Sequence, residues 1–441
     1  MAKKKFITSG IGRFASLGKS LTKATGHMAL DKVKSQVSKV QKSKEKVDEW
    51  HRKALATKEL VQSMGELKGA LMKLGQMISI TEDLILPPEI STLFSELQKN
   101  APAMSEKEVN QVFIDSFGKG PEEIYEYFDP EPMAAASIGQ VHRAKLKSGE
   151  EVAVKVQYPK IADAIKSDFK NLDALKKVVT ILFPKTPNID TYLKELKRSL
   201  EDECDYEIER DNLLFFKENC QRFESIVIPK VYPEFSSKFV LTMEYLEGDD
   251  FVDTKDYSQE DKDALGQLIY DFHNFCFYEL GTVHADPQYG NYLFKKDKII
   301  LLDFGSIRKF PDEFVQNYID LLMAIADRDL EKYKSALLKF GFFEEEDEDS
   351  LFSDHLHMIH DLYSPFNRVG KHKVPERNPM DLLKGFVDKI DLKGRKSPRE
   401  EFLLLDRAHL GLYTKIRQWN AQIDWVGPKL KGWKYHEKIE S

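Results

Sequence analysis

Hydrophobic positions recur with a helical period in the segment that begins at Leu60. They are spaced by three or four residues and share one face: Leu60, Met64, Leu67, Leu71, Leu74 and Ile78. This spacing predicts a helix with a single apolar stripe. Lys73 and Gln76 lie nearly opposite the stripe, beside Gly65 and Gly69, and two such glycines permit close approach of another backbone or a ligand. The helix is therefore predicted to have a second face that is small and polar.

The pattern changes from helix to strand between residues 128 and 160. Apolar and polar positions alternate in Val141–Leu146 and Glu151–Val156, and the intervening Lys147–Glu150 is typical of a hairpin turn. Further elements are predicted in this order: helices at about 160–183 and 189–222, strands at 227–228, 239–243, 292–294 and 299–302, and helices from about Asp312 onward. The mixture predicts an α+β fold.

Charge is unevenly distributed along the 441 residues, whose net charge is −7. Lys and Arg exceed Asp and Glu within residues 1–58, so the remainder is more acidic than the average, and the whole gives no nucleic-acid signature. Residues 6–28 predict a basic amphipathic helix. Two interpretations stay open: a helix in a membrane interface, or a segment that is solvated or packed on its own protein.

Cysteine usage and hydropathy limit the cellular location. The three cysteines form no CxxC pair and no even disulfide framework, which favours a reducing compartment. No uncharged apolar run reaches the roughly 18–20 residues needed to span a bilayer. We therefore expect a cytoplasmic protein whose membrane contact is peripheral, on the inner face.

Two segments predict contacts with a nucleotide. Lys155 lies in the middle of an apolar strand, where an unpaired ammonium is costly and phosphate groups would compensate it. Upstream of it, an alanine-rich loop allows backbone N–H groups to approach phosphates, and its candidate residues are Ala134, Ala135, Ala136 and Ser137. Downstream, the end of the 239–243 strand predicts a hinge for the adenine base, with Glu244, Tyr245 and Leu246 as candidates.

Acidic residues cluster between positions 203 and 209. Asp205 and Glu209 would share a face of one helix, and like charges placed this way predict a nearby cation. Lys155 and Lys73 are the candidate partners. A solvated acidic helix face is the alternative when the run is taken alone.

The strongest pattern is an ordered set of oxygen donors. His284-Ala285-Asp286 is followed by Asn291, five residues after the aspartate, and then by Asp303-Phe304-Gly305. Asp286 is suited to orient the attacking oxygen in phosphoryl transfer, and Asn291 with Asp303 to hold Mg²⁺. Together with Lys155 and Glu209, these residues predict a magnesium–ATP site. No long segment for peptide binding follows Gly305, which argues against a protein substrate.

These motifs resemble those of the UbiB/AarF atypical kinases. The motifs are K-x-G-Q at 73–76, the alanine-rich loop, E-x-D at 203–205, the HxD loop with its asparagine, and D-F-G. The resemblance implies a two-lobed protein-kinase-like fold with an N-terminal helical extension and a helical C-terminal end. It also implies that Lys73, Gln76, Glu203 and Asp205 act as gating residues over the active site, and that the protein supports isoprenoid-quinone production at a membrane.

The resemblance and the residues together define the expected function. We expect an ATP-dependent atypical kinase or ATPase that hydrolyses Mg-ATP and supports isoprenoid-quinone (ubiquinone-type) or lipid metabolism, with quinone-pathway proteins and a lipid or quinone precursor as partners. The alternatives are a small-molecule kinase and a nucleotide-binding scaffold without catalysis. Four segments are predicted: a basic arm and linker at 1–58, a helical extension at 59–124, an N-lobe at 125–245, and a C-lobe with C-terminal helices at 246–441.

One departure from the family pattern concerns the catalytic loop. Gln288 and Tyr289 stand where the family usually has His-Pro, which leaves Asp286 and Asn291 intact but alters the residues between them.

Overall fold

The described residues form two compact units. The computed structural model describes residues 103–136, 138–169, 189–286, 288–341, 343–363, 370–374 and 400–426. The first unit contains the described residues up to Leu214 together with Lys230–Tyr245, and the second contains the others. The predicted helix with Lys73 and Gln76, and the predicted amphipathic segment 6–28, lie outside the described residues.

The first unit is built around an antiparallel sheet. Its described elements are α1 (Glu106–Phe117), α2 (Pro121–Ile124), β1 (Tyr125–Phe128), β2 (Ala134–Ala135), β3 (Gly139–Leu146), β4 (Glu151–Gln157), α3 (Ile161–Phe169), α4 (Ile189–Glu203), α5 (Tyr206–Asn219) and β6 (Val240–Glu244). The strands follow the order β1-β3-β4-β6, and β2 also pairs with β3. Helix α5 continues past Leu214 into the second unit.

The predicted hairpin is present as β3 and β4. Gly149 in its turn has a φ of +103°, a left-handed conformation that glycine adopts without strain. Strand β4 is buried at every position after Glu151, because β3 and β6 flank it and an apolar core covers it. That core includes Val154 from β4 and Val109 and Phe113 from α1. The helix α1 thus fixes one face of the strand that carries Lys155.

The second unit is mainly helical. Its described elements, after the end of α5, are β5 (Ile226–Val227), α6 (Gln259–Tyr278), β7 (Thr282–His284), β8 (Tyr292–Lys295), β9 (Lys298–Leu301), β10 (Ile307–Lys309), α7 (Asp312–Asp327), α8 (Leu330–Phe340), α9 (Asp349–Tyr363), β11 (Lys371–Lys373), α10 (Glu400–Gln418) and β12 (Gln422–Asp424). Aromatic and aliphatic side chains from α6, α7, α8, α9 and α10 form its core.

Short strands in the second unit position the candidate catalytic loop. Strand β7 pairs antiparallel with β10, so that His284 lies opposite Ile307. Strands β8 and β9 form a hairpin, and β5 pairs parallel with β9. The chain between β7 and β8 and the chain between β9 and β10 are therefore brought side by side. Within the described residues, no helix is both long and apolar enough to cross a bilayer.

Two element predictions are wrong. The helix predicted at 189–222 is interrupted at Cys204 and Asp205, where α4 ends and α5 begins. The C-terminal third is not entirely helical, since β11 and β12 form a two-stranded antiparallel sheet there. The α+β class itself is confirmed.

Candidate active site

Lys155 forms a buried ion pair in the first unit. It lies at the centre of β4, paired with Val141 of β3 and Leu241 of β6. Its Nζ is 2.5 Å from Oε1 of Glu209 in the first turn of α5, and the two side chains are 8% and 5% exposed. A buried charge requires a partner because removal from water costs several kcal/mol per ion. Glu209 is therefore the partner that makes a lysine tolerable inside this strand.

The alanine-rich loop joins β2 to β3. Ala134 pairs with Val141 and Ala135 with Gln140, and the Ala136 N–H donates to the Gly139 carbonyl at 3.0 Å. The side chains of Ala134 and Ala135 are exposed, whereas Ser137 lies outside the described residues. The candidate loop is thus a tight connection at the end of the sheet.

Gly139 in this loop is required by close backbone packing. A Cβ added there would lie 2.3 Å from the Val156 carbonyl oxygen and 2.9 Å from the Tyr206 hydroxyl. No side chain fits that space without movement of β4. Sequence reasoning did not identify this contact, which depends on the register of β3 against β4.

The predicted hinge residues lie where the chain leaves the first unit. Glu244 ends β6, Tyr245 is the last residue of the first unit, and Leu246 begins the second. Glu244 accepts a hydrogen bond from the Lys230 N–H at 3.0 Å. Tyr245 donates its N–H to the Glu151 carbonyl at 3.1 Å, and the Arg143 guanidinium lies 4.5 Å from its ring centroid. These contacts hold Glu244 and Tyr245 within the first unit.

The predicted gating residues Glu203 and Asp205 lie at the break between α4 and α5. The Asp205 carboxylate accepts the Glu207 N–H at 3.1 Å, as a helix N-cap does, and this explains why α5 starts anew there. Asp205 also pairs with Lys238 at 3.2 Å. The prediction that Asp205 and Glu209 share a helical face with Lys155 as cation is correct for Glu209 and wrong for Asp205. Lys73 and Gln76 lie outside the described residues.

A cavity of about 620 Å³ adjoins this break within the first unit. Asp202, Asp205, Lys166 and Lys238 are among its charged lining residues. Burial raises the pKa of the Cys204 thiol at its edge to about 12, so the thiol is protonated at neutral pH.

The candidate catalytic loop in the second unit is organised by His284. The Asp286 N–H donates to Nδ1 of His284 at 3.3 Å, so Nδ1 is the unprotonated nitrogen. Nε2 then carries the proton and donates to the Asp303 carbonyl at 2.6 Å. Burial lowers the pKa of His284, which favours this neutral form. One imidazole thus joins the HxD segment to the D-F-G segment.

Asn291 and Asp303 present oxygen atoms suited to a magnesium ion. Asn291 donates from Nδ2 to the Asp286 carbonyl at 3.0 Å, which fixes the orientation of its amide group. Asp303 accepts the Gly305 N–H on Oδ1 at 3.0 Å. Amide and carboxylate oxygens are the hard donors that Mg²⁺ prefers. Within the described residues, no cluster of three or more His, Cys, Asp or Glu side chains offers another metal site.

Lys415 near this loop was missed by sequence reasoning. It lies on α10, is 1% exposed, and its Nζ is 4.9 Å from the ring centroid of Tyr289 and 4.7 Å from that of Tyr292. Burial lowers its pKa to about 7, and attraction by the Asp286 carboxylate acts in the opposite direction. The available signal was a lysine at an apolar position of a helix, analogous to the one that identified Lys155 in its strand.

The arrangement of these elements is that of a protein-kinase-like fold. One unit has an antiparallel sheet whose lysine pairs with a helix glutamate, and a mainly helical unit carries the HxD and D-F-G segments. Rv3197 from Mycobacterium tuberculosis, solved as a complex with erythromycin, matches with a TM-score of 0.58 and 25% identity, over 88% of this chain and 98% of that one. The predicted fold class is confirmed.

The chain belongs to the ABC1 atypical kinase-like family, whose domain model matches residues 96–337. It is 36% identical over 313 residues to the mitochondrial atypical kinase COQ8 of Schizosaccharomyces pombe, covering 70% of this chain and half of that protein. It is 29% identical over 371 residues to the mitochondrial atypical kinase COQ8 of Saccharomyces cerevisiae, covering 82% and 73%. The resemblance to UbiB/AarF kinases is confirmed, whereas the segment boundaries and the roles of individual site residues stay predictions.

Proposed function

We propose that this protein is an atypical kinase or ATPase that binds Mg-ATP and transfers its terminal phosphoryl group to water or to a small hydroxyl acceptor. The observation that carries the proposal is the buried Lys155–Glu209 pair. A buried ion pair is weak evidence for stability, because apolar residues of similar volume often stabilise as well or better. A phosphate-binding role explains why the strand keeps a charge.

Each candidate residue has a specific role in the proposed reaction. Lys155, oriented by Glu209, contacts the α- and β-phosphates, while the alanine-rich loop offers backbone N–H groups and Glu244 to Leu246 receive the adenine. Asp286 accepts a hydrogen bond from the attacking water or hydroxyl and receives its proton as the bond to the γ-phosphorus forms. The bond between that phosphorus and the bridging oxygen breaks, and ADP leaves. Asn291 and Asp303 would hold Mg²⁺, which neutralises phosphate charge.

The acceptor is proposed to be small. Only a short connection separates Gly305 from β10, and α7 begins at Asp312, so the described chain has no long segment there for receiving a peptide. Glu203 and Asp205, with Lys73 and Gln76, are proposed to restrict access further. We propose that the enzyme functions in isoprenoid-quinone or lipid metabolism at a membrane surface, as the family resemblance implies.

Replacement of one metal ligand tests the reaction. Asp303→Asn removes the charge expected to bind Mg²⁺, and we expect Mg-ATP-dependent turnover to fall below detection. Asp297→Asn is the matched control, because Asp297 is exposed in the β8–β9 turn. Undiminished turnover in Asp303→Asn would refute the assignment. Labelled ATP then separates free phosphate from a phosphorylated metabolite, and quinone and lipid profiling of a deletion strain tests the pathway.

A further inference from the structure

Lys415 occupies a position in α10 that packing alone would assign to an apolar residue. Buried residues recur at spacings of three and four along the helix and directly after it: Phe402, Leu405, Ala408, Leu412 and Lys415 in α10, and Trp419 just beyond its end. Five of the six are apolar. An ammonium in this stripe is removed from water at a cost in free energy, so its presence requires an interaction that an aliphatic side chain cannot make.

The surroundings of Lys415 supply that interaction from the candidate catalytic loop. Its ammonium lies over the rings of Tyr289 and Tyr292, which flank Gly290 and Asn291. Aromatic faces attract cations, and more strongly when both are desolvated. The Asp286 carboxylate, 6% exposed, also attracts the ammonium. Two groups of the candidate catalytic loop, together with the first residue of β8, therefore act on a single cation that comes from a helix far along the chain.

A second contact connects the residue that follows α10 to the same loop. Phe251 stacks on Tyr289 with ring centroids 4.3 Å apart and planes inclined by 29°. Phe251 also packs against Trp419, one turn beyond Lys415, at 5.1 Å. Tyr289 is thus contacted by Lys415 directly and by Trp419 through Phe251. This tyrosine is one of the two residues that depart from the usual family pattern.

The candidate catalytic loop has no positively charged residue between Asp286 and Asn291. The residues from Asp286 to Asn291 read Asp-Pro-Gln-Tyr-Gly-Asn. Any positive charge near the Asp286 carboxylate must come from elsewhere, and α10 provides one. We propose that Lys415 is a positioning residue that fixes the orientation of the Asp286 carboxylate and of the loop that carries it. This inference rests on the proposed Mg-ATP turnover only for its kinetic consequence.

The kinetic test compares Lys415→Met with Arg417→Met, an exposed change on the same helix. Methionine has a similar length, and a cavity of about 40 Å³ beside Lys415 gives it room. We expect Lys415→Met to lower kcat about 10- to 100-fold, since small displacements of catalytic groups have effects of this order. The KM for ATP should change by less than about twofold, because the change acts through Asp286 and not on the nucleotide.

The double variant distinguishes positioning from general damage. If Lys415 acts through Asp286, adding Lys415→Met to Asp286→Asn should lower residual turnover by less than about twofold. The same fold loss in both backgrounds would overturn the proposal, as would a raised KM with unchanged kcat. If Lys415→Met does not fold, Lys415→Gln is used in the same comparison.

Hydrogen exchange gives a readout that does not depend on turnover. In Lys415→Met, amides of residues 283–294 should exchange faster, while those of α7 stay as in the unchanged protein and in Arg417→Met. Faster exchange in the loop supports the positioning role even if the unchanged protein shows no turnover. Absence of turnover in the unchanged protein would overturn the proposed function but not the positioning role. Unchanged exchange in the loop would overturn the positioning role.

Discussion

The Lys155–Glu209 pair allows structure and function to be separated by substitution. Lys155→Met removes the ammonium and leaves Glu209, 5% exposed at its side chain, without its cation. Removing one partner of a buried pair costs about 3–5 kcal/mol, because the remaining charge is uncompensated. At about 2–4 °C per kcal/mol for a domain of this size class, the Tm should fall by roughly 6–20 °C.

The double variant Lys155→Met/Glu209→Leu should recover most of that loss. With both charges gone, apolar side chains fill the site, and such replacements are often neutral or stabilising. ATP binding should nevertheless be absent in the double variant, as in Lys155→Met, because the proposed phosphate contact is missing in both. Stability is measured by thermal and urea unfolding, and binding by titration with ATP and Mg²⁺.

An exposed ion pair in the same sheet provides the control. Lys145 and Glu126 lie 3.3 Å apart with side chains 36% and 52% exposed. Lys145→Met should cost less than about 1 kcal/mol and leave ATP binding intact. The reasoning is refuted if Lys155→Met melts like the unchanged protein, or if the double variant is no more stable than the single one. ATP binding by the double variant would show that Lys155 is not part of the proposed nucleotide site.

Two further predictions concern pH and the membrane. Burial lowers the pKa of His273 from 6.5 to about 4 in the folded state. Between these two pH values the unfolded chain binds more protons than the folded one, so the free energy of unfolding falls as the pH drops. At about 1.4 kcal/mol per pKa unit, the total loss of stability is about 3 kcal/mol. His273→Phe should flatten the unfolding free energy between pH 7 and 4, and an unchanged slope would contradict the burial argument. Deletion of residues 1–30 should reduce flotation with anionic vesicles, whereas equal flotation would exclude this segment as the membrane contact.

Structural features that depend on residues close together in the chain could be predicted from the sequence. The β3–β4 hairpin follows from alternation and a glycine-containing turn, and Lys155 from one charge in an apolar strand. Asp286, Asn291 and Asp303 were found because their spacing along the chain is itself diagnostic. All of these patterns are short and local.

Features that depend on distant residues were not accessible in this way. The break at Asp205 involves an ion pair with Lys238, which is distant in the sequence, in addition to the local N-cap bond from Glu207. Strands β11 and β12 are three residues each and pair across a long separation in sequence. Lys415 carried a usable pattern, but nothing near it in the sequence connected it to Asp286.

The discontinuous composition of the first unit has a consequence for how the chain acquires its structure during synthesis. Strand β6 is translated only after residues 215–229, which belong to the second unit. Until Glu244 has left the ribosome, β4 lacks its neighbour and exposes backbone donors and acceptors along one edge, the kind of edge that promotes association between chains. A shortened expression product that stops at Leu214 would keep that edge permanently, so a fragment meant to preserve the sheet has to extend to Tyr245.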